Sequence, residues 1–511
     1  MPHHRHPSRA AASGAALPRA VTLPLAAALT SFVALSSAPA QAATDPAELA
    51  AIRAQIREMK TAYEQRIAAL EARLAQAEQS ATRAERGAQV AETKAEVAVR
   101  QAAGAEAESA QAAQVALAAQ QAGERPASAT AFNPEISLIL GGSFTNLSKD
   151  PGERRLQGFI PAGGEVMPEG RSFNLGETEL VIAANIDPRF RGNFKLAIAP
   201  DNTVGVEEAS IQTLGLDGGA KLKAGRFLSG VGYQNELHPH QWDFADASLP
   251  YQAFFGNSLG MDGVQARWLA PAPFFLEFGA EAARARSFPS TDESRNKNGL
   301  MSGSLFAHVG GDIGIENSWR AGLSYFQSKP RDRVWDGPIE TNPDLQNSFS
   351  GKSKTWIADF LWKWAPDGNA SKQYLKLQGE YFRRTEDGTM NYDLDGVAAA
   401  DGSYRNTQSG WYAQAVYQFM PRWRLGYRYD RLDSGNARIG LIESGSLTYD
   451  ELPLLAAYKP QRNTLMLDWS PSEYSRLRLQ LAQDKTRPEA TDHQVWLQYI
   501  MSLGAHGAHR F

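Results

Sequence analysis

The sequence predicts an all-β transmembrane barrel of about 16 antiparallel strands, preceded by an α-helical coiled-coil segment. Three observations predict it. From Phe132 onward, segments of about ten residues alternate apolar and polar side chains, the length a tilted strand needs to cross a bilayer. The connections between these segments alternate between tight turns and long polar stretches. Trp and Tyr recur near segment ends, as they do at membrane–water interfaces. A soluble sandwich would share the side-chain alternation, but it has no reason to alternate the lengths of its connections.

Composition sets the outer bounds. The chain has 511 residues with a formal net charge of -4, too long for one ordinary globular domain and too balanced to call for nucleic acid. Cysteine is absent, which excludes disulfides, thiolate zinc sites and a cysteine nucleophile, and fits an exported protein.

Residues 1–42 read as a signal peptide. Arg5, Arg9 and Arg19 precede the apolar run "VTLPLAAALTSFVALSS", and "APAQA" supplies small residues at Ala40 and Ala42, so cleavage is expected after Ala42. An N-terminal anchor is the alternative, but the run is shorter than the ~20 residues a spanning helix needs. No later segment qualifies as a transmembrane helix either, so a membrane location requires a closed barrel.

Residues 43–82 predict the coiled-coil helix. Leu49, Ile52, Ile56, Met59, Tyr63, Ile67, Leu70, Leu74 and Ala77 recur at spacings of three and four, with one stutter between Tyr63 and Leu70. So narrow a seam needs partner helices, most simply the same segment of sister chains. Residues 83–131 are mostly Ala, Gln, Glu and Ser and read as a spacer.

Residues 132–511 predict the barrel. "PEISLILGGSFTNL" puts Ile136, Leu138, Leu140 and Phe144 on one face, and the last strand does the same with Val495, Leu497, Tyr499, Met501 and Leu503. Turns such as "DPRFRG", "LDGG", "MPRW" and "SPSEYS" alternate with long connections near 148–171, 227–259, 285–299, 329–352, 387–406 and 433–460, with one short exception near Asp201. The terminal Phe511 continues the phase of Val495 and Leu497 and resembles the closing signature of bacterial outer-membrane barrels.

"VEEASIQT" (206–213), "KLKAGRFLSGVG" (221–232) and "DFADASLPYQAFFGNSLG" (243–260) carry a resemblance to the phosphate-selective porin O/P family. The resemblance covers most of 132–511 through loose, glycine-dominated motifs. It implies a trimeric outer-membrane porin with a periplasmic N-terminal coiled coil, passing small hydrophilic solutes or anions by passive diffusion. No lysine-rich phosphate-binding loop matches, so no binding residues transfer.

If apolar residues face lipid, the alternate residues face the lumen. Arg422, Arg424, Arg428, Arg476, Arg478, Lys376 and Arg384 then form a basic, anion-selecting wall, in which Arg422, Arg424, Arg476 and Arg478 stand at the starts of their strands, too far from Asp430 and Asp484 at the other ends to be neutralised by them. Glu177, Glu179, Glu277 and Glu281 form an opposing acidic wall. The bland alternative is that these charges satisfy one another and select nothing.

The connection at 227–259 is expected to fold inward and narrow the channel. Its His238 and His240, with Glu236, Asp243 and Asp246 nearby, suggest a divalent-metal site or a zinc-uptake channel, although Pro239 between them is expected to aim them apart. No Gly-x-Ser-x-Gly elbow or placeable Ser-His-acid set marks an enzyme, and no resident cofactor is called for. A TonB-dependent-like receptor would need a folded plug where residues 43–131 are helical and low in complexity.

Overall fold

The computed structural model describes residues 134–162, 166, 170–176, 178–199, 203–286, 288–291, 298–337, 345–394 and 396–504, and ten residues between 54 and 79. Those ten include Arg57, Glu58, Lys60 and Glu64, are helical and exposed, and lie off the predicted seam. Lys60 and Glu64 pair at 3.8 Å across one helical turn. The seam residues, signal peptide and spacer lie outside the described residues, as do Glu177 and Phe511.

Nineteen strands follow among the described residues of 126–511: β1 Glu135–Leu147, β2 Ser172–Leu175, β3 Thr178–Asn185, β4 Phe190–Ile198, β5 Val204–Thr213, β6 Ala220–Leu228, β7 Gly260–Leu269, β8 Phe275–Ala285, β9 Ser302–Ile313, β10 Asn317–Ser328, β11 Arg333–Asp336, β12 Gln346–Trp364, β13 Tyr374–Tyr392, β14 Ala400–Met420, β15 Trp423–Asp433, β16 Arg438–Ile439, β17 Gln461–Ser472, β18 Ser475–Arg487 and β19 Ala490–Gly504. The short β2, β11 and β16 extend neighbouring pairings; the other sixteen form one antiparallel meander. It closes where β1 pairs β19, with Leu140 opposite Met501 and Phe144 opposite Leu497. Each of those sixteen strands therefore has a backbone partner on both sides, as a bilayer requires.

Two-residue periodicity sorts the faces. On β18, Leu477, Leu479 and Leu481 point outward and are 40–43% exposed, whereas Arg478 and Gln480 between them are buried inside. On β19, Val495, Leu497, Tyr499, Met501 and Leu503 face outward as expected, with Trp496 and Ile500 inside. Outward aromatics pair across strands: Trp423 stacks on Trp469 at 5.9 Å and Tyr325 lies 4.8 Å from Trp356. An outer surface this apolar is stable only against hydrocarbon.

The structure corrects two expectations about the connections. Much of 329–352 and 387–406 is strand rather than loop, because β12, β13 and β14 run for 19, 19 and 21 residues. Their inward Phe349, Met390 and Tyr404 pack with Trp335, Ile439 and Leu455 in an apolar cluster, which orders strand beyond the bilayer-spanning length. The β18–β19 connection is also short, just Pro488 and a left-handed Glu489, so Asp201 is not the single exception.

Candidate functional site: the inward loop and the lumen beside it

The connection from β6 to β7 turns into the barrel and crosses the lumen. Its helix α1 (Leu249–Phe255) is buried at every residue. Proline in its first turn presets the backbone, and Gly256 ends it at φ 62°, a left-handed conformation that suits glycine. The aromatic side chains explain the burial. Phe254 stacks on Phe382 at 5.7 Å, and Phe255 meets Phe326 edge-on at 5.8 Å. With Val231, Leu259, Ile357 and Leu432 they form an apolar core inside the barrel. Burying an aromatic side chain of this size contributes roughly 1.5–3 kcal/mol.

Buried polar side chains from around the wall hold the rest of the loop. Glu281 of β8 accepts from the Gly230 amide at 2.8 Å and the Ser229 hydroxyl at 2.5 Å. Glu380 of β13 accepts from the amides of Tyr233 and Gln234 at 3.1 and 3.0 Å and from Tyr251 Oη at 2.9 Å. Arg267 of β7 pairs with Glu236. Lys376 of β13 and Arg424 of β15 converge on Asp243, the latter at 3.2 Å. Arg428 of β15 and Arg462 of β17 clamp Asp246 at 3.0 and 2.6 Å.

The predicted basic wall is therefore largely an anchor for this loop. Arg428 is also paired with Asp430 at 2.9 Å, Arg478 with Asp468 at 2.8 Å, and Arg424 with Asp468 as well. Arg476 and Arg478 donate to the carbonyl of Trp242 at 3.1 and 2.8 Å. Arg384 lies 4.9 Å over the Phe254 ring and donates to the Ala253 carbonyl at the end of α1. Arg424 and Arg478, expected to stay unneutralised, are instead met by Asp468 of β17, and Arg424 also by Asp243 of the loop. Arg422 sits exposed in the turn before β15 at φ 72°, not on the strand. Of the predicted acidic wall, Glu281 holds the loop, and Glu277 accepts from Arg267 and pairs with His308.

The two loop histidines come together rather than apart. Their rings stack at 5.9 Å and 20°, and both reach Glu179 of β3. His240 Nδ1 lies 2.7 Å from Glu179 Oε1. His238 Nδ1 lies 3.0 Å from Glu207 Oε2, and its Nε2 lies 2.7 Å from Glu208 Oε1. Burial and the nearby Lys195 oppose protonation of His238, but Glu179, Glu207 and Glu208 prevail and hold its pKa at about 10. Burial dominates at His240 and lowers its pKa.

Glu207 and Glu208 escaped the sequence reasoning because adjacent residues of a regular strand point to opposite faces. A bulge defeats that rule. Lys195 pairs Glu208 and Leu196 pairs Val206, leaving Glu207 extra, and both acids reach the same histidine. The doubled "EE" in a lumen-facing strand was the available signal.

Beside the loop, a cavity of about 330 Å³ remains against β1, β3–β6 and β10. Arg191, Lys195, Lys223 and Arg320 line it, with Glu135, Glu208 and Glu236. Arg191 pairs with Glu135 at 2.6 Å and Lys195 with Glu208 at 2.8 Å. Arg320 lies 5.3 Å over the Tyr233 ring and Lys223 5.6 Å over Phe227. Cations thus outnumber carboxylates on this lining by four to three. A separate hollow of about 660 Å³, walled by Pro273, Phe274, Asp312 and Trp319, lies at the β7–β8 turn and does not share this lining.

No family model matches the chain. Among solved structures, it is similar to a loop-L8 deletion mutant of OmpT, an outer membrane protein of Vibrio cholerae, with 11% identity and a TM-score of 0.45 over 73% of this chain and 99% of the other. It is also similar to the outer membrane channel DcaP of Acinetobacter baumannii, with 11% identity and a TM-score of 0.41 over 73% and 97%. An anion-selective porin from Comamonas acidovorans shows 10% identity and a TM-score of 0.41 over 73% and 99%. In sequence, the chain is 34% identical over 412 residues to an uncharacterized protein of Aquifex aeolicus (strain VF5), covering 76% of this chain and 81% of the relative. The chain belongs to the same protein family as that Aquifex aeolicus protein.

Proposed function

We propose that this chain is an outer-membrane porin that passes small hydrophilic solutes by passive diffusion and prefers anions, phosphate or one of similar size and charge. The observation that carries the proposal is the cavity beside the inward loop, whose lining has more cations than carboxylates. In a narrow lumen with low-dielectric walls, an excess of fixed positive charge favours anion entry and raises its barrier to cations. The selecting role is assigned to Lys223 and Arg320, which line this cavity from β6 and β10; Arg191 is balanced by Glu135, and Arg424, Arg428 and Arg478 pair with Asp243, Asp246 and Asp468. The apolar outer face and the closed strand order support the membrane location. The N-terminal helix is assigned to the periplasm, where its seam would join three chains.

The test is reversal potential in planar bilayers under asymmetric KCl. The expected result is chloride permeating more readily than potassium in dilute salt. Potassium preference in wild type would overturn the anion assignment, and an absence of discrete channels would overturn the porin.

A further inference from the structure

We propose that Glu179, Glu207 and His238 form a binding site for one divalent transition-metal cation, which ties the inward loop to strands β3 and β5. The three ligand atoms all lie within 4.8 Å of one another. His238 Nδ1 is 3.0 Å from Glu207 Oε2 and 3.6 Å from Glu179 Oε2. Ligands about 2.1 Å from a tetrahedral ion stand roughly 3.4 Å apart, between the 3.0 and 3.6 Å that separate His238 Nδ1 from the two carboxylates.

Two further observations point to a ligand rather than to a chance cluster. Glu179 is 1% exposed, yet its Oε2 has no hydrogen-bond partner and faces His238 Nδ1. The protonated His238 Nδ1 stands 3.6 Å from it, so a divalent cation bound here would take the place of that proton between the two groups. His240 occupies the other oxygen at 2.7 Å and so turns Oε2 toward the site. The second observation is the opposite ring nitrogen. His238 Nε2 lies 2.7 Å from Glu208, the carboxylate partner that metal-bound histidines use to fix tautomer and ring orientation. Lys195 also approaches Nε2 and pairs with Glu208 at 2.8 Å, which keeps Glu208 as an outer partner rather than a ligand.

The β5 bulge at Glu207 belongs to the same arrangement. It brings two successive acids onto one imidazole, which a regular strand cannot do. One imidazole and two carboxylates suit zinc or another borderline divalent metal better than calcium or magnesium, which take oxygen ligands alone. Three protein ligands leave a further position for water.

The site stands on its own geometry; an effect on permeation rests on the porin reading. The test uses the full mature chain in detergent, without an affinity tag, titrated with zinc chloride by calorimetry and followed by metal analysis after gel filtration. One zinc per chain is expected, with binding at least about tenfold weaker in Glu207→Gln and in His238→Gln. No uptake by wild type overturns the site. Equal uptake in both variants does so too, since exposed histidines such as His493 would then be responsible. If His238→Gln fails to fold, Glu207→Gln decides, because that side chain is 21% exposed and tolerates an isosteric change. In bilayers, micromolar zinc should reduce wild-type current and spare Glu207→Gln. Zinc bound without any change in current keeps the site and overturns only its control of the pore.

Discussion

Arg428 of β15 donates to Asp246 of the inward loop at 3.0 Å, although 182 residues separate them in sequence. Arg462 reaches the other oxygen of the same carboxylate at 2.6 Å. Two nearly inaccessible guanidiniums thus converge on one acid of a loop that packs an apolar core inside the barrel and borders a cavity of about 330 Å³.

Asp246→Ala should release this clamp. Removing one partner of a buried ion pair costs roughly 3–5 kcal/mol, because the remaining charges are left uncompensated. A lower temperature for loss of the folded barrel on heated gels, and a larger single-channel conductance, are expected. Unchanged conductance would mean that the aromatic core alone holds the loop.

The aromatic core is tested by Phe254→Ala. Truncating a buried phenylalanine costs roughly 3–5 kcal/mol and leaves a cavity where it stacked on Phe382. Because the cavity lies inside a membrane-supported barrel, the expected outcome is a folded barrel with noisier current. A quiet channel with wild-type conductance would show that the loop tolerates the void.

Charge reversal should separate selecting residues from anchoring ones. Lys223→Glu with Arg320→Glu should move the reversal potential toward cations while the barrel still assembles, since both side chains line the open cavity. Arg478→Glu should impair assembly instead, because it would set a second buried carboxylate against Asp468. Gel-resolved assembly yield and ion permeability ratios measure the two effects.

Acid should release the Asp243 and Asp246 clamps only at the low end of the carboxylate range. Burial alone would raise the pKa of Asp243 and Asp246, but Lys376 and Arg424 at the first, and Arg462 and Arg428 at the second, outweigh it and hold both low. A depressed folded-state pKa contributes stability that is present above the ordinary aspartate value and lost as pH falls through the folded one. Conductance should therefore stay constant from neutrality down to about pH 4 and change below it. A change between pH 7 and 5 would point to a different group.

The predicted coiled coil is tested apart from the barrel. A peptide covering residues 45–80 should associate with increasing concentration, and Ile56→Asp with Leu70→Asp should abolish that. Sedimentation as a monomer at high micromolar concentration would remove the proposed oligomer contact.

The sequence by itself determined the barrel. Side chains alternate with a period of two, so Leu477, Leu479 and Leu481 could only share one face and Arg478 and Gln480 the other. Sixteen such segments, turned back on themselves by Gly and Pro connections, have one membrane-compatible solution, because hydrocarbon satisfies no backbone group. The inward course of 227–259 was expected from the resemblance to porins, in which a comparable loop folds inward. Only the tertiary structure decided which charges face open lumen. Arg424 and Arg428 lie on the lumen face as their phase requires, yet Asp243 and Asp246 of the inward loop meet them across about 180 residues of sequence that no periodicity encodes. The bulge at Glu207 shifts the phase of β5 by one residue, from outward Val204 to outward Ile211, and the doubled acid marks where, but only the pairing with β4 shows that it turns a second carboxylate toward His238.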